Sequence, residues 1–303
     1  MESLCFNLKK HVEKLAAEIG PRNYSYYNGL EQAADYIHEE LASMGYEVQI
    51  QEFEISRKDA PIGSPLSYRN IIAIKPGIAT PDEVVIVGAH YDSCGDSPGA
   101  DDNASGIAGM LELARLLKNV PLQKTVKFIA FTNEEPPFFK SPYMGSFVYA
   151  QKARQRNEKI KLAIIFEMIG YYTDQPPNWS HFGDLDGILS TIAPSDSNFI
   201  AAIGNSNEIA YLERMDAAFN QKSTVPMITN RQIIPHGPLM DMDLSDHWSF
   251  WEEGYRAVMI TDTAFYRNPH YHTLRDTLET LDYEKMAQVV SGFSAVMQEI
   301  DKT

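Results

Sequence analysis

The chain has 303 residues, 44% hydrophobic and 22% charged, the composition of a folded, enzyme-sized unit and not of a disordered or low-complexity one. Its 41 acidic and 26 basic side chains give a formal charge of −15, a field that repels phosphate backbones and anionic lipid, so neither nucleic acid nor membrane is an expected partner. Two cysteines, Cys5 and Cys94, make no disulfide framework, and residues 1–20 hold Lys9, Lys10, Glu13, Lys14 and Glu18 but no apolar signal-peptide core, so the expected compartment is the cytoplasm.

Leu4, Leu8, Val12, Leu15 and Ile19 recur at helical spacing. A second helix carries Leu30, Ala33, Ala34, Ile37, Leu41 and Met44 on one face, with Gly45 as its stop. Tyr46, Val48 and Ile50 then alternate, and Phe53 and Ile55 resume one step out of phase, which predicts a strand with a bulge. Asn70–Ile74 is the next strand. Val84–Ala89, Val126–Phe131 and Leu162–Phe166 are continuous apolar runs, the pattern of strands buried on both faces. Gly106–Leu117 is apolar nearly all round and predicts a buried helix. Residues 172–245 are rich in Pro, Gly, Asp and Asn and read as an irregular wall, with one helix near Glu208–Asn220. A strand at Ala257–Thr261 and an amphipathic helix through Met286, Val290, Phe293, Met297 and Ile300 close the chain. The alternation predicts an α/β/α sandwich of three layers around a mixed, mostly parallel sheet, with residues 1–303 as one catalytic unit. The first two strands are close enough in sequence to pair antiparallel.

Three buried strands run straight into polar residues. Val84–Ala89 ends at His90 with Asp92 two further on, Val126–Phe131 at Thr132-Asn133-Glu134-Glu135, and Leu162–Phe166 at Glu167. Ligands of open α/β sheets bind at the carboxyl ends of strands. A histidine and three glutamates gathered there need cations. Pro98-Gly99-Ala100-Asp101-Asp102-Asn103-Ala104-Ser105-Gly106 joins the His90 strand to the buried helix and sets a carboxylate near a positive helix end.

With Asn133-Glu134-Glu135, Phe166-Glu167-Met168, Ser245-Asp246-His247 and His272-Thr273-Leu274-Arg275-Asp276-Thr277 following in order, the chain resembles the co-catalytic zinc exopeptidases typified by bacterial leucyl aminopeptidase and aminopeptidase Y. Glutaminyl cyclases and glutamate carboxypeptidase II are relatives of that group. The resemblance runs from about Gly20-Pro21-Arg22 to Asp282. It implies two zinc ions, with cobalt or manganese as substitutes, held by His90, Asp102, Glu135, Glu167 and His272, with Asp102 bridging. It implies Glu134 as general base toward a metal-bridged hydroxide, and a cis peptide between Asp102 and Asn103. Two such ions about 3.5–4 Å apart acidify a shared water and polarise a carbonyl.

Many members carry Asp where this chain has Glu167, and the extra methylene shifts the carboxylate by on the order of an ångström. Asp174, seven residues on, reads as a loop residue. Asp92 is expected to orient His90, and Asp276 to support His272 or its loop. Tyr271 reads equally as an oxyanion donor and as aromatic packing. His11 and His38 are placed on helix surfaces, His181 and His270 in loops, and His236 in a Pro-His-Gly-Pro turn. Asp246 and His247 are read as structural support near the site, and Cys94 as a loop residue and not a ligand. The Pro136-Pro137-Phe138-Phe139 run either walls the substrate pocket or packs. The expected activity is removal of N-terminal residues from peptides with a free amine. The alternatives are a glutaminyl-peptide cyclotransferase, which carries Trp where this chain has Tyr271, and a non-catalytic binding module of the same fold.

Overall fold

The structure, a computed structural model, describes residues 1–178, 194–232 and 242–303. Its strands are β1 (Glu47–Glu54), β2 (Ser67–Lys75), β3 (Thr80–His90), β4 (Lys124–Phe131), β5 (Lys159–Glu167), β6 (Ile200–Ile203), β7 (Met227–Thr229) and β8 (Ala257–Thr261). They form one sheet in the order β1-β2-β4-β3-β5-β8-β6-β7. The central pairs β4–β3, β3–β5 and β5–β8 are parallel, while β2 runs antiparallel to β1 and β4, and β6 antiparallel to β8.

Period two divides the central strands between two cores. On β3, Val85, Val87 and Ala89 join one apolar cluster and Val84 and Ile86 the other. On β5, Leu162, Ile164 and Phe166 face the first cluster and Ala163 and Ile165 the second. Helices α1 (Glu2–Val12), α2 (Tyr27–Ser43) and α3 (Gly106–Leu117) cover the first face. Helix α4 (Gly145–Gln155) brings Tyr149, Ala150 and Ala153 to the second face. Past α5 (Ile209–Phe219), the short α6 (His247–Glu252) adds Phe250 to that second face. Helix α7 (Tyr283–Ile300) returns to the first face, where Phe293 lies edge-on to Phe166 at 5.1 Å and to Phe219 at 5.6 Å. The fold is the expected sandwich.

Four details differ from expectation. The first helix passes at Glu13 into a wider π-type turn that runs to Ile19. β1 has no bulge: it pairs with β2 residue by residue from Glu47↔Ile74 to Glu54↔Ser67. The two apolar sets point to opposite faces: Val48 lies opposite Ala73 and Phe53 opposite Tyr68, the two rings tilted at 6.2 Å, while Ile50 between them is exposed. The stretch from 172 to 245 contributes β6 and β7 to the sheet as well as α5. His11 is buried: Tyr36 Oη is 2.6 Å from its Nδ1 and Glu112 3.5 Å from its Nε2. His181 and His236 lie outside the described residues. Among the described residues no helix is long and apolar enough to cross a membrane.

Candidate metal centre

The carboxyl ends of β3, β4 and β5 meet at one edge of the sheet, and the turn Ala100–Ser105 leading into α3 lies beside them. Two glycines shape that turn. Gly99 has φ 61°, and a Cβ on it would meet the Asp102 carbonyl at 2.4 Å. A Cβ on Gly106 would meet Asn103 Oδ1 at 2.2 Å and the Phe166 carbonyl at 2.7 Å. Asn103 ties the turn to β5: its Nδ2 donates to the Phe166 carbonyl at 2.8 Å, and its Oδ1 accepts from the amides of Gly106 and Met168. Ser105 adds a second tie by accepting from Ile169 N–H at 2.9 Å. The Asp102–Asn103 peptide is cis, as the resemblance implies.

The structure brings all five expected ligands together. His90 Nε2 lies 3.3 Å from Asp102 Oδ1 and 3.2 Å from Glu167 Oε2. His272 Nε2 lies 3.1 Å from Asp102 Oδ2 and 3.3 Å from Glu135 Oε2. Asp102 thus turns one oxygen to each histidine. Glu134 lies beside this cluster, its Oε2 3.8 Å from His90 Nε2.

The donors fit divalent cations. His90 Nε2 and Glu135 Oε1 are buried and have no hydrogen-bond partner, an arrangement that is costly unless a ligand completes it. Burial opposes charge on His90, but Glu167 and Glu134 outweigh it and hold the imidazole well above its usual range. Burial likewise opposes charge on Asp102, yet His272 and His90 keep its carboxyl well below the usual range. Burial and the nearby Asp102 charge push Glu135 up to about 7. Burial, with Glu167 and Glu135 adding to it against His90, holds Glu134 well above the carboxylate range. Mixed imidazole and carboxylate donors suit zinc and its first-row neighbours.

Asp92 meets His90 as expected, and its carboxylate has a further part. The Asp92 carboxylate accepts from the amides of Glu134 and Glu135, at 3.2 and 3.0 Å. The closest partner of His90 Nδ1 is the Asp92 main-chain carbonyl at 3.1 Å, with the carboxylate at 3.5 Å. One residue therefore fixes the imidazole and the glutamate pair. Asp276 does not touch His272. It accepts from the amides of Asp101 and Asp102, at 2.8 and 3.1 Å, and so holds the turn that carries the bridging carboxylate. Tyr271 stacks on His272, ring centroids 3.7 Å apart, and meets Phe265 at 5.5 Å. Asp174 is exposed and bonds Asn198, away from the centre. Phe138 packs edge-on against Tyr24 and Tyr68.

Two contributors, Arg22 and Ser245, had no assigned part. Arg22 is fully buried and donates to the carbonyls of Tyr91, Pro98 and Gly99 at 2.7, 2.5 and 2.7 Å, with longer bonds to Leu15 and Gly20. Its place in Gly20-Pro21-Arg22, just ahead of the second helix, was its one visible mark. Ser245 Oγ donates to Glu167 Oε2 at 2.7 Å and anchors the longer carboxylate that replaces Asp. Asp246 is buried beside the centre, and burial pushes it up to about 7. His247, which burial holds down to about 4, donates from Nε2 to the Met242 carbonyl at 2.7 Å and has a structural part.

A family model described as Peptidase family M28 matches residues 70–297. The Escherichia coli K12 protein YfbL is 39% identical over 295 residues, covering 94% of this chain and 85% of that protein. Aminopeptidase YwaD of Bacillus subtilis is 28% identical over 236 residues, covering 77% of this chain and 45% of that protein. A solved zinc aminopeptidase from Bacillus subtilis superposes with a TM-score of 0.69 at 19% identity, over 96% of this chain and 93% of that one. Solved glutaminyl cyclases share the fold equally well, so the fold by itself does not choose between the two chemistries. The family match spans all five expected ligand positions, and the chain belongs to peptidase family M28.

Proposed function

We propose that the protein is a zinc-dependent aminopeptidase that removes N-terminal residues from peptides. The observation that carries this reading is the Asp102 carboxylate, with Oδ1 toward His90 and Oδ2 toward His272. His90, Glu167 and Asp102 would hold one ion, and His272, Glu135 and Asp102 a second, with cobalt or manganese able to replace zinc. When bound, the ions supply Lewis acidity that polarises the scissile carbonyl and acidifies water. Glu134 takes the proton of the attacking water and delivers it to the leaving amine; its raised proton affinity suits both steps. Tyr271, which burial with Asp102 and Glu135 nearby keeps protonated, donates to the developing oxyanion from its place beside His272. A free N-terminal amine can meet both a metal ion and a carboxylate at this site, and an acylated one cannot.

Hydrolysis of one short leucyl peptide, free and N-acetylated, by zinc-loaded protein tests the reading. The free peptide is cleaved and the acetylated one is not. Cleavage of both removes amine recognition. Ring closure of an N-terminal glutaminyl peptide without hydrolysis marks the cyclase. No turnover of any of the three abandons the aminopeptidase reading.

A further inference from the structure

The His272 side of the centre holds a donor that the resemblance does not supply. Cys94 Sγ, a Glu135 carboxylate oxygen and a His272 ring nitrogen all lie within 4.8 Å of one another. The Cys94 thiol is half-buried. Its loop is fixed on both sides. Asn23 Nδ2 donates to the carbonyls of Ser93 and Gly95 at 2.8 and 2.7 Å, and the Ser97 amide donates to the Cys94 carbonyl at 2.9 Å. Glu135 gives an independent sign. It is only 3% exposed, and its Oε1 has no hydrogen-bond partner. Glu135 Oε2 is 3.3 Å from His272 Nε2, and a buried carboxylate beside a thiol and an imidazole, its other oxygen without a hydrogen-bond partner, is the arrangement a cation completes.

We propose that Cys94 is a ligand of the ion held by His272, Glu135 and Asp102. This rests on the metal reading of the site, not on the identity of its substrate. The two halves then differ in kind. The His90 half offers nitrogen and oxygen donors only, and the His272 half adds sulfur. On binding, the thiol proton passes to solvent and the thiolate donates a lone pair to the ion. Thiolate favours zinc, cobalt and cadmium over manganese and magnesium. The inference thus assigns the manganese-tolerant position to His90 and the zinc-selective one to His272.

The test is a titration of chelator-stripped protein with cobalt(II), followed by absorption. Wild type develops a sulfur-to-cobalt charge-transfer band in the near ultraviolet that saturates with one of two equivalents. Cys5→Ser keeps the band and Cys94→Ser loses it. Cys94→Ser also weakens one of the two cobalt ions tenfold or more and leaves the other unchanged. No band in wild type, a band that survives in Cys94→Ser, or unchanged affinities overturn the proposal in favour of a thiol that only steadies the His272 ring. If Cys94→Ser does not fold, alkylation of wild type read by mass spectrometry decides. Saturating zinc slows modification of Cys94 tenfold or more, and equal rates overturn the proposal. A band without peptide hydrolysis fails the functional reading alone, and hydrolysis without a band fails this one alone.

Discussion

At the scale of single residues, Glu134 and Glu135 are chemical twins that their surroundings separate. Their amides share one acceptor, Asp92, which fixes both side chains to the end of β4. Glu135 reaches His272 at 3.3 Å, whereas the nearest centre nitrogen to Glu134 is His90 Nε2 at 3.8 Å. The first is placed as a ligand and the second as a group that handles protons beside the ions. Glu134→Gln keeps the shape and removes the proton acceptor. It is expected to retain both ions by metal analysis, with kcat lower by roughly 10²–10⁴. Loss of metal in this variant would reassign Glu134 as a ligand, and full activity would remove the mechanism. Tyr271→Phe separates the two uses of that ring. Stacking on His272 survives the change, so metal content holds, while loss of the donor lowers kcat by about 10²-fold. An unchanged kcat would leave Tyr271 as packing alone.

At the scale of elements, legibility in the sequence tracked how continuously a segment is buried. β3, β4, β5 and α3 were readable because both faces of each strand, and nearly all of the helix, meet apolar neighbours. β7 is three residues long and β6 four, too short for any period to register, so the stretch that holds them read as irregular. α4 opens on Gly145 and buries a face of mixed Ser, Val, Tyr and Ala, which gave no clear helical pattern. The five candidate ligands were visible because polar residues at strand ends stand out against apolar runs, and because the resemblance names the last histidine. Roles that run through main-chain atoms are displayed by no side-chain pattern. Arg22 is the clearest case. Its guanidinium, which burial lowers to about 10, stays charged at neutral pH and binds the carbonyls of the loop between His90 and Asp102. Arg22→Met strands those carbonyls at about 1–3 kcal/mol each. It is expected to lower unfolding stability in urea by about 3 kcal/mol or more and to weaken metal binding. Arg22→Lys is not expected to rescue either, because an ammonium cannot span several carbonyls in the plane of the fork. A lysine variant as stable as wild type would reduce Arg22 to a simple charge.

At the scale of the whole molecule, a chain of charge −15 has concentrated buried acid at one edge of its sheet. Burial comes first among the causes that push Glu135, Asp246 and Asp276 each up to about 7, and neighbouring carboxylates add to it. The sign of the resulting linkage is fixed. Groups with a folded proton affinity above the unfolded one stabilise the fold while protonated, and that stability is lost as pH rises through the folded value. Without cations, stability therefore falls between about pH 4.5 and 7. With zinc the sign reverses, because cations compete with protons for the same oxygens and bind more tightly as pH rises. General repulsion among the surface acids also grows with pH, but it acts on both forms alike. The gap between the melting temperatures of zinc-loaded and chelator-treated protein, followed by circular dichroism from pH 4.5 to 8, isolates the site. That gap is expected to be small near pH 4.5 and to widen steeply toward pH 7–8. Asp276→Asn, which removes one buried acid and keeps an acceptor for only one of the Asp101 and Asp102 amides, is expected to flatten the chelated curve and to lower it throughout. A gap independent of pH would mean that cations are not held by this carboxylate cluster, and the centre would have to be sought elsewhere in the chain.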